Sequence, residues 1–389
     1  MSGKGIDLSY YDFGKERPRP APSLQHLSAV DKIRLAHAGI SIDSIGRSAS
    51  FIHVNHAACS TQNMQEGLEL MDINQALKKY DGLPGYYWKV LSPDKDEFTQ
   101  MTKKRTHGGY FVRVRKGVKL PEPVQSCMFI QGNNLGQSVH NIIVVEEGAE
   151  LHIISGCATS SDTDKAAHLG ISEYYVEKGG KLTFTMVHNW GSHVVVRPRS
   201  AGVVAQGGTF INNYVLLDKV RDLQMYPTIH LQGSGASALF NSVIVAPPGS
   251  HVDVGNKVVL DAPNTRAEIV SRSITTGGVV YNRGHLAAHA APVKGHLECK
   301  GLILGKGVNV AIPEIEAMLA DVELSHEAAI GKIAQAELEY LMARGLDEDQ
   351  ATATIVSGFL NLDIMGLPAE LKASLNEQIA ILSSNKNAG

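Results

Sequence analysis

Three residues in the last third of the chain have side chains of the types that bind iron or zinc. Cys299 offers a thiolate, and the adjacent pair His326 and Glu327 offers an imidazole and a carboxylate. These ligand types hold both metals in proteins. Spacing alone leaves a plainer interpretation open, in which His326 is solvated and Glu327 only starts a helix. The elements that carry the three residues must decide whether their side chains meet.

Composition indicates the class of protein. The chain has 389 residues with 43% hydrophobic residues, 19% charged residues and 38 glycines, a balance that suits a largely β globular protein with many tight turns. A formal net charge of -3 gives no reason to expect nucleic acid or anionic membrane as a partner. The chain has no run of about 18 apolar residues and its first residues lack an apolar signal core. We therefore expect a cytoplasmic protein without a membrane span.

Common nucleotide-binding and hydrolase motifs are missing from the sequence. There is no G-x-x-x-x-G-K-[ST] loop, no G-x-G-x-x-G after a strand and no G-x-S-x-G elbow. We expect no ATP hydrolysis and no dinucleotide site, and the chain by itself is not expected to be an enzyme. An enzyme acting on polysaccharide is also disfavoured, because such sites need several acidic residues on one strand face.

From about Thr106 onward, short β-branched runs alternate with turns that contain glycine. Gly235, Gly249, Asn264 and Gly278 follow one another at a nearly constant spacing, with a period near 14. This period favours a β-solenoid, whose rungs consist of two strands and two bends, over an ordinary sandwich with turns about every 8–12 residues. A solenoid buries an apolar interior and needs a cover at each end.

Helical patterns flank this β region on both sides. In the N-terminal part, Ser28 can cap a short helix, and a second helix fits Gln65–Tyr80. After Ser325 the period becomes helical again, Asp347 begins a capping-box pattern, and a further helix is expected after Pro368. The predicted divisions are 1–105 (mixed and helical), 106–322 (β core) and 323–389 (helical).

The cysteines are far apart in sequence and form no C-x-x-C pair, so neither a disulfide frame nor a zinc knuckle is indicated. They are Cys59, Cys127, Cys157 and Cys299. A single cysteine is most often a small buried hydrophobe, and we interpret Cys157 in this way. Cys299 differs, because a solenoid would place it one or two rungs from His326 and Glu327, with neighbouring strands about 4.8 Å apart.

Several short stretches of the chain form distinctive sequence motifs. The longest are Ser325–Ile333 (SHEAAIGKI) and Glu339–Leu346 (EYLMARGL). Five earlier pieces accompany them: Lys116-Gly117-Val118, Ser155-Gly156-Cys157, His188-Asn189-Trp190-Gly191, Ala262-Pro263-Asn264-Thr265 and Arg283-Gly284. Together these pieces cover roughly 108–359, and the chain resembles the SufB/SufD family of iron–sulfur cluster assembly proteins.

The resemblance implies a core that is a right-handed parallel β-helix, in agreement with the period near 14. It implies that the C-terminal helices dock a SufC-like ABC ATPase, which supplies the ATP hydrolysis missing here. It also implies that two cores pair and that a new cluster forms at the pairing edge. Cys299 and Glu327 stand at positions that SufB uses in cluster assembly, and His326 matches a histidine shared by SufB and SufD. These three residues are therefore the predicted metal and cluster ligands.

Two features distinguish the chain from a typical SufB. It is shorter, nearer SufD in length, and Ser325 stands where bacterial SufB can carry another acid. Because Cys299 and Glu327 are SufB-like, we interpret the chain as a compact, archaeal-type SufB homologue that forms a homodimer and needs no separate SufD. The expected cofactor is a transient iron–sulfur cluster of the [4Fe-4S] type on a non-enzymatic scaffold. The alternative is a SufD-like structural partner of the ATPase that holds no cluster.

Overall fold

The dominant feature of the protein is a stack of parallel strands. The computed structural model describes residues 6–14, 24–63, 65–360, 372–373 and 377. The protein is mainly β, with a solenoid of about eight turns and short helices towards both chain ends. The prediction of a parallel β-solenoid rather than a sandwich is therefore confirmed.

One wall of the solenoid is a ten-stranded sheet. Its strands, in spatial order, are β2 (Ala57–Asn63), β1 (Ala49–Val54), β5 (Val124–Ile130), β7 (Glu150–Thr159), β9 (Lys181–Asn189), β12 (Thr209–Leu216), β15 (Ser237–Ala246), β17 (Arg266–Thr275), β19 (Val293–Ile303) and β21 (Val322–Gly331). The pairing of β1 with β2 is antiparallel, and the pairings from β1 to β21 are parallel. One edge thus ends in the β2 hairpin and the other in β21.

The other wall is an eleven-stranded sheet. Its strands, in chain order, are β3 (Leu68–Asp72), β4 (Tyr110–Val114), β6 (Leu135–Val145), β8 (Ala166–Val176), β10 (Val194–Val196), β11 (Arg199–Val204), β13 (Asp222–Met225), β14 (Thr228–Leu231), β16 (His251–Leu260), β18 (Val279–Ala288) and β20 (Val308–Ala317). Two coils carry a broken strand here, since β10 and β11 both pair with β8, and β13 and β14 both pair with β16. Pro198 and Pro227 lie at the two breaks, because proline cannot donate to the ladder.

The strand pairing explains the period seen in the sequence. Glu268 on β17 pairs with His296 on β19, which lies one complete coil later in the chain. One coil uses about twice the turn spacing, because it contains one strand of each wall and a bend after each strand. Gly235, Gly249 and Asn264 adopt positive φ angles of 72°, 83° and 62° at these bends, a conformation that costs glycine and asparagine little.

Aliphatic and aromatic side chains fill the interior between the walls and stack from coil to coil. The ring centroids of Phe210 and Phe240 lie 5.7 Å apart, and Tyr174 lies 5.2 Å from Phe210. Ile269 and Leu297 continue the row of Phe240 towards β21, and all of these residues are buried. Burial of such side chains is the main source of stability in a parallel sheet.

The N-terminal helices pack on the outer faces of the two walls. α1 (Ala29–His37) begins at Ser28, whose Oγ accepts a backbone hydrogen bond at 3.1 Å, as the sequence predicts. Leu35 of α1 packs against the ten-stranded sheet. The later helix Glu97–Lys104, which is α3, packs against the eleven-stranded sheet through Phe98.

The helix predicted over Gln65–Tyr80 is half wrong. Residues Leu68–Asp72 form β3, which pairs antiparallel with β4, and Ile73–Lys79 forms α2. Leu68 and Leu70 alternate with more polar neighbours and are buried in the solenoid core. Packing against β4 therefore outweighs the local helical pattern at the start of this segment.

One buried carboxylate fastens the segment between α2 and α3 to the eleven-stranded sheet. Glu173 on β8 accepts hydrogen bonds from four consecutive backbone amides, those of Trp88–Leu91, at 2.6 to 3.2 Å. It also lies 2.9 Å from His140 Nε2, and both side chains are fully buried. The carboxylate thus satisfies backbone donors of an irregular segment that has no strand beside it.

The helical period expected after Ser325 begins later in the structure. β21 continues to Gly331 and pairs in register with β19 along its whole length, so His326 and Glu327 lie on a strand. α4 then covers Gln335–Met342. This segment forms a strand despite its local helical pattern, because β19 provides hydrogen-bonding partners along its whole length.

α5 (Glu348–Leu360) folds back onto the outer face of the ten-stranded sheet. It starts with the predicted capping box, since Asp347 and Gln350 exchange hydrogen bonds of 3.0 and 2.7 Å. Val356 and Leu360 of α5 form one apolar cluster with buried residues of five strands, namely Ile154, Val187, Val215, Val243, Val245 and Ile274. No helix in the described part of the chain is long and apolar enough to cross a membrane. Most of the helix predicted after Pro368 lies outside the described residues, of which 372–373 and 377 are helical.

The division of the chain at residues 105 and 322 stays a prediction. In the structure, β1 and β3 join the two walls from positions before residue 106. Most of β21 lies beyond residue 322 and is the last strand of the ten-stranded sheet in the described residues. The two walls therefore include residues on both sides of the predicted boundaries at 105 and 322.

We predict that Glu173→Gln lowers the free energy of unfolding by roughly 3 kcal/mol, because it removes the buried charge that four amides and His140 share. Thermal unfolding followed by circular dichroism measures the loss. The matched control is Glu177→Gln, on the bend after the same strand and half-buried, which should shift the midpoint little. Equal shifts for the two variants contradict the fastening role of Glu173.

Candidate functional site

β19 presents two different faces, because side chains on a strand alternate between its two sides. Leu297 and Cys299 point into the solenoid and are buried at 0% exposure. His296, Glu298 and Lys300 point outward and are half-buried. The predicted sulfur ligand and its polar neighbours therefore lie on opposite faces of one strand.

β21 repeats this division one coil further on. In the parallel register Glu327 pairs with Glu298, and His326 pairs with Leu297. Paired residues of neighbouring strands point to the same side, so Glu327 faces outward, whereas His326 shares the inward side with Cys299. His326 is nevertheless exposed, because β21 is the last strand of this sheet in the described part of the chain.

Burial controls the chemistry of the Cys299 thiol. Desolvation, with a further contribution from the Glu298 carboxylate, raises the pKa of Cys299 to about 12, although Arg272 acts in the opposite direction. The thiol is thus protonated at neutral pH. Only a change that exposes it, or brings a metal ion to it, produces the thiolate.

The outward side chains form a compact polar cluster. A ring nitrogen of His296 and one carboxylate oxygen each of Glu298 and Glu327 all lie within 4.8 Å of one another. We call these three residues the outer triad. Lys300 Nζ lies 2.6 Å from Glu298 Oε2 and 3.0 Å from Glu327 Oε1. His296 Nδ1 lies 2.9 Å from Ser325 Oγ, a contact that orients the imidazole.

Two cations hold Glu298 in its charged form. Burial by itself raises its pKa, but hydrogen bonds and charges from Lys300 and Arg272 lower the pKa of Glu298 below its usual value. Arg272 Nη1 contacts Glu298 Oε1 directly. The same contacts with Glu298 and Glu327 raise the pKa of Lys300. The cluster is therefore an ionic network at neutral pH.

The structure separates the three predicted ligands. Cys299 and His326 share the inward side of neighbouring strands, while Glu327 lies on the outward side with His296 and Glu298. All three residues belong to the last two strands of the ten-stranded sheet, within one coil of each other, as the solenoid repeat predicts. Their joint role as metal ligands stays a prediction.

Sequence reasoning missed His296 and Glu298. The signal was present, because polar and apolar residues alternate from His296 to Lys300 as on a half-buried strand. Glu298 also precedes Glu327 by one whole coil. A search at the period of a whole coil would have placed the two carboxylates side by side.

The family emerges from comparison with known proteins. Residues 128–359, more than half of the chain, match the family model for the SufBD core domain of SUF system FeS cluster assembly. The chain belongs to the SufBD family. The matched range runs from β5 to α5 and contains Cys299 and Glu327 with the whole outer triad.

Relatives of this SufBD chain occur in archaea and bacteria. An iron-sulfur cluster assembly SufBD family protein of Archaeoglobus fulgidus is 48% identical over 351 residues, which cover 90% of this chain and 94% of the relative. One of the same name from Methanothermobacter thermautotrophicus is 42% identical over 388 residues, with 97% and 94% covered. The iron-sulfur cluster assembly protein SufB of Bacillus subtilis is 34% identical over 328 residues, with 82% and 70% covered. The resemblance inferred from the sequence is thereby confirmed.

We predict that Cys59 reacts with iodoacetamide before the other three cysteines of the native chain. All four are free thiols, but only Cys59 is partly exposed. Burial raises the pKa of Cys59 to about 11 and the pKa of Cys157 and Cys299 to about 12, so access and thiolate content both favour Cys59. Peptide mass spectrometry after timed alkylation measures it.

Alkylation of the chain unfolded in guanidinium chloride is the control, and there the four rates should become similar. Labelling of Cys299 as fast as Cys59 in the native chain would mean that the last coils open in solution. In that case the burial of Cys299 would not limit its chemistry.

Proposed function

We propose that the chain is the scaffold of a SUF-type iron–sulfur cluster assembly complex. The family is one of SUF system cluster assembly. In addition, Cys299 lies one strand away from His326 and Glu327 at the end of the solenoid. The observation that carries the proposal is the closeness of Cys299, His326 and Glu327 in a member of a SUF system family. The scaffold catalyses no reaction itself and works in the cytoplasm, where thiols stay reduced.

A nascent cluster needs ligands that bind it and later release it. Cys299 supplies a soft thiolate that binds iron, and iron and sulfide are the substrates of assembly. His326 and Glu327 are weaker ligands, which allow the product, a [4Fe-4S] cluster, to leave for an acceptor. Because Cys299 is buried and protonated in the single chain, the last coils must open before the thiol takes part.

We assign the pairing surface of a homodimer to the end of the solenoid at β20 and β21. These are the last strands of the two walls in the described residues, and a strand edge is a template for pairing with another chain. Large apolar side chains remain exposed around this end, namely Val308, Ile315, Met318, Leu319 and Ile330. A second copy of the chain would cover them and bring two sets of ligands together.

The second proposed partner is a SufC-like ABC ATPase, bound through the C-terminal helices. α4 exposes Tyr340 and Met342 at 60% and 41%, and a partner would bury these apolar side chains. α4 follows closely after β21 in the chain, while α5 is anchored on the ten-stranded sheet. Movement of a docked ATPase would therefore reach the strand that carries His326 and Glu327.

Anaerobic reconstitution of the purified chain with ferrous iron and sulfide, alone and with its ATPase, tests the scaffold function. We expect brown protein with visible charge-transfer absorption, and near-complete loss of bound iron and sulfide in Cys299→Ser, because no other residue of the predicted set supplies a thiolate. Cys59→Ser is the matched control, since Cys59 is a free, partly exposed thiol outside this set, and it should load like the wild type. Unchanged iron and sulfide content in Cys299→Ser refutes the role of this cysteine.

A SufD-like structural partner that holds no cluster is the second candidate function. The full burial of Cys299 in the single chain favours it, because a buried, protonated thiol is a poor ligand. It predicts colourless protein that binds the ATPase tightly whether residue 299 is cysteine or serine. The reconstitution experiment separates the two candidates.

We predict that Ile315→Asp converts the dimer to a monomer, because a carboxylate on an apolar pairing surface loses its hydration without gaining a partner. Size-exclusion chromatography with light scattering measures the mass. Ile45→Asp is the control, since Ile45 is 75% exposed and lies far from β20 in the chain, and the mass of this variant should stay dimeric. A dimer that survives Ile315→Asp argues against this surface.

A further inference from the structure

The outer triad has the composition and size of a divalent metal site. It offers one imidazole nitrogen and two carboxylate oxygens, all within 4.8 Å of one another. Ions such as zinc or ferrous iron bind such ligands at about 2.0–2.2 Å, which separates the ligand atoms by roughly 3–4 Å. Small side-chain rotations of His296, Glu298 and Glu327 are enough to close the remaining gap. Apart from Glu327, the triad is distinct from the ligand set Cys299, His326 and Glu327.

A positive group already occupies the space between the two carboxylates. Lys300 Nζ lies 2.6 Å from Glu298 and 3.0 Å from Glu327. Its side chain is 30% exposed and flexible, so it can turn into solvent without disturbing the sheet. Arg272 contacts the other oxygen of Glu298 from a position only 16% exposed and stays in place. The position is thus built to hold a cation, and its present occupant is exchangeable.

A groove reaches His296, one member of the triad, while Glu327 is itself exposed to solvent. The groove has a volume of about 650 Å³ and runs across the outer face of β12, β15, β17, β19 and β21. Ile211, Leu239 and Glu268 line it together with His296 and Ser325, the residue that orients the His296 ring. α5 packs on side chains nearer the other ends of these strands, so the groove remains open on this side.

We propose that His296, Glu298 and Glu327 bind a divalent transition-metal ion, which displaces the ammonium group of Lys300. Mixed nitrogen and oxygen ligands suit first-row divalent ions. With Lys300 turned away, two carboxylates and one guanidinium leave a net negative charge beside the imidazole. Competition from Lys300 keeps the affinity low, which suits an ion that is held briefly and passed on.

Ferrous iron is the ion that this site holds in the cell, an assignment that rests on the proposed scaffold function. Glu327 belongs to both the triad and the cluster ligand set, and its neighbour His326 shares the inward side with Cys299. The strand β21 therefore connects the outer iron site with the place where sulfide and iron combine. The triad is a waiting position for the iron substrate.

Binding of Mn²⁺ to the Cys299→Ser chain, measured by electron paramagnetic resonance and calorimetry without sulfide, tests the site. We expect one ion per chain, and we expect affinity to fall roughly tenfold or more in both His296→Asn and Glu298→Gln. Lys300→Met should bind more tightly, because the competing ammonium is gone. Lys294→Met is its matched control, since Lys294 lies on the same strand and is paired with Glu323 at 2.7 Å, and it should bind like the parent chain.

Circular dichroism of each variant shows that the fold is retained. Full Mn²⁺ affinity in His296→Asn or Glu298→Gln overturns the site, as does an equal gain in Lys300→Met and Lys294→Met. Because the Cys299→Ser chain lacks the proposed cluster thiolate, its Mn²⁺ binding tests the outer triad separately from the scaffold function. Metal binding by the triad in a chain that never builds a cluster removes the scaffold function and keeps the site. Cluster formation in a wild-type chain that binds no Mn²⁺ keeps the scaffold function and removes the metal site at the triad.

Discussion

The in-register stacking of parallel strands is the constraint on which the rest of this structure depends. Each coil returns the chain to the same side of the same wall after a nearly constant length, as Glu268, His296 and Ser325 show on three neighbouring strands. Inward positions therefore meet inward positions, and the row from Phe240 through Ile269 to Leu297 becomes a continuous core. Outward positions meet in the same way, and polar side chains a whole coil apart in the sequence become neighbours.

Stacking also explains why the predicted ligands on the last two strands differ in burial. An inward residue in the middle of the solenoid is covered by a coil on either side, whereas β21 has a neighbouring strand of its own sheet only at β19 in the described part of the chain. Cys299, one strand inside the end, is fully buried, while His326 on the last strand is exposed. In the proposed scaffold role, such a thiol reacts only after the last coil opens.

Two anionic positions illustrate how differently the fold treats a carboxylate. Glu173 is enclosed by four backbone amides and His140, so its role is to anchor the N-terminal segment. Glu298 and Glu327 are bridged by the flexible, partly exposed Lys300, so their charge stays available to another cation. The first arrangement is rigid because all its donors are fixed backbone or buried groups, and the second is exchangeable because one donor is a solvated side chain.

Much of the fold followed from local signals in the sequence. Turn glycines at half-coil spacing indicated the solenoid, and Ser28 and Asp347 marked helix starts that the structure confirms, because caps and bends depend on a few neighbouring residues. The sequence motif around His326 also indicated the SufBD family. Tertiary structure alone decided that β3 and β21 are strands, since their partners lie far away along the chain and outweigh local helical patterns. It also decided which side each residue faces. The sequence named Cys299, His326 and Glu327, but only the pairing register turned Glu327 away from Cys299 and towards His296 and Glu298, because direction on a strand is set by alternation and not by residue type.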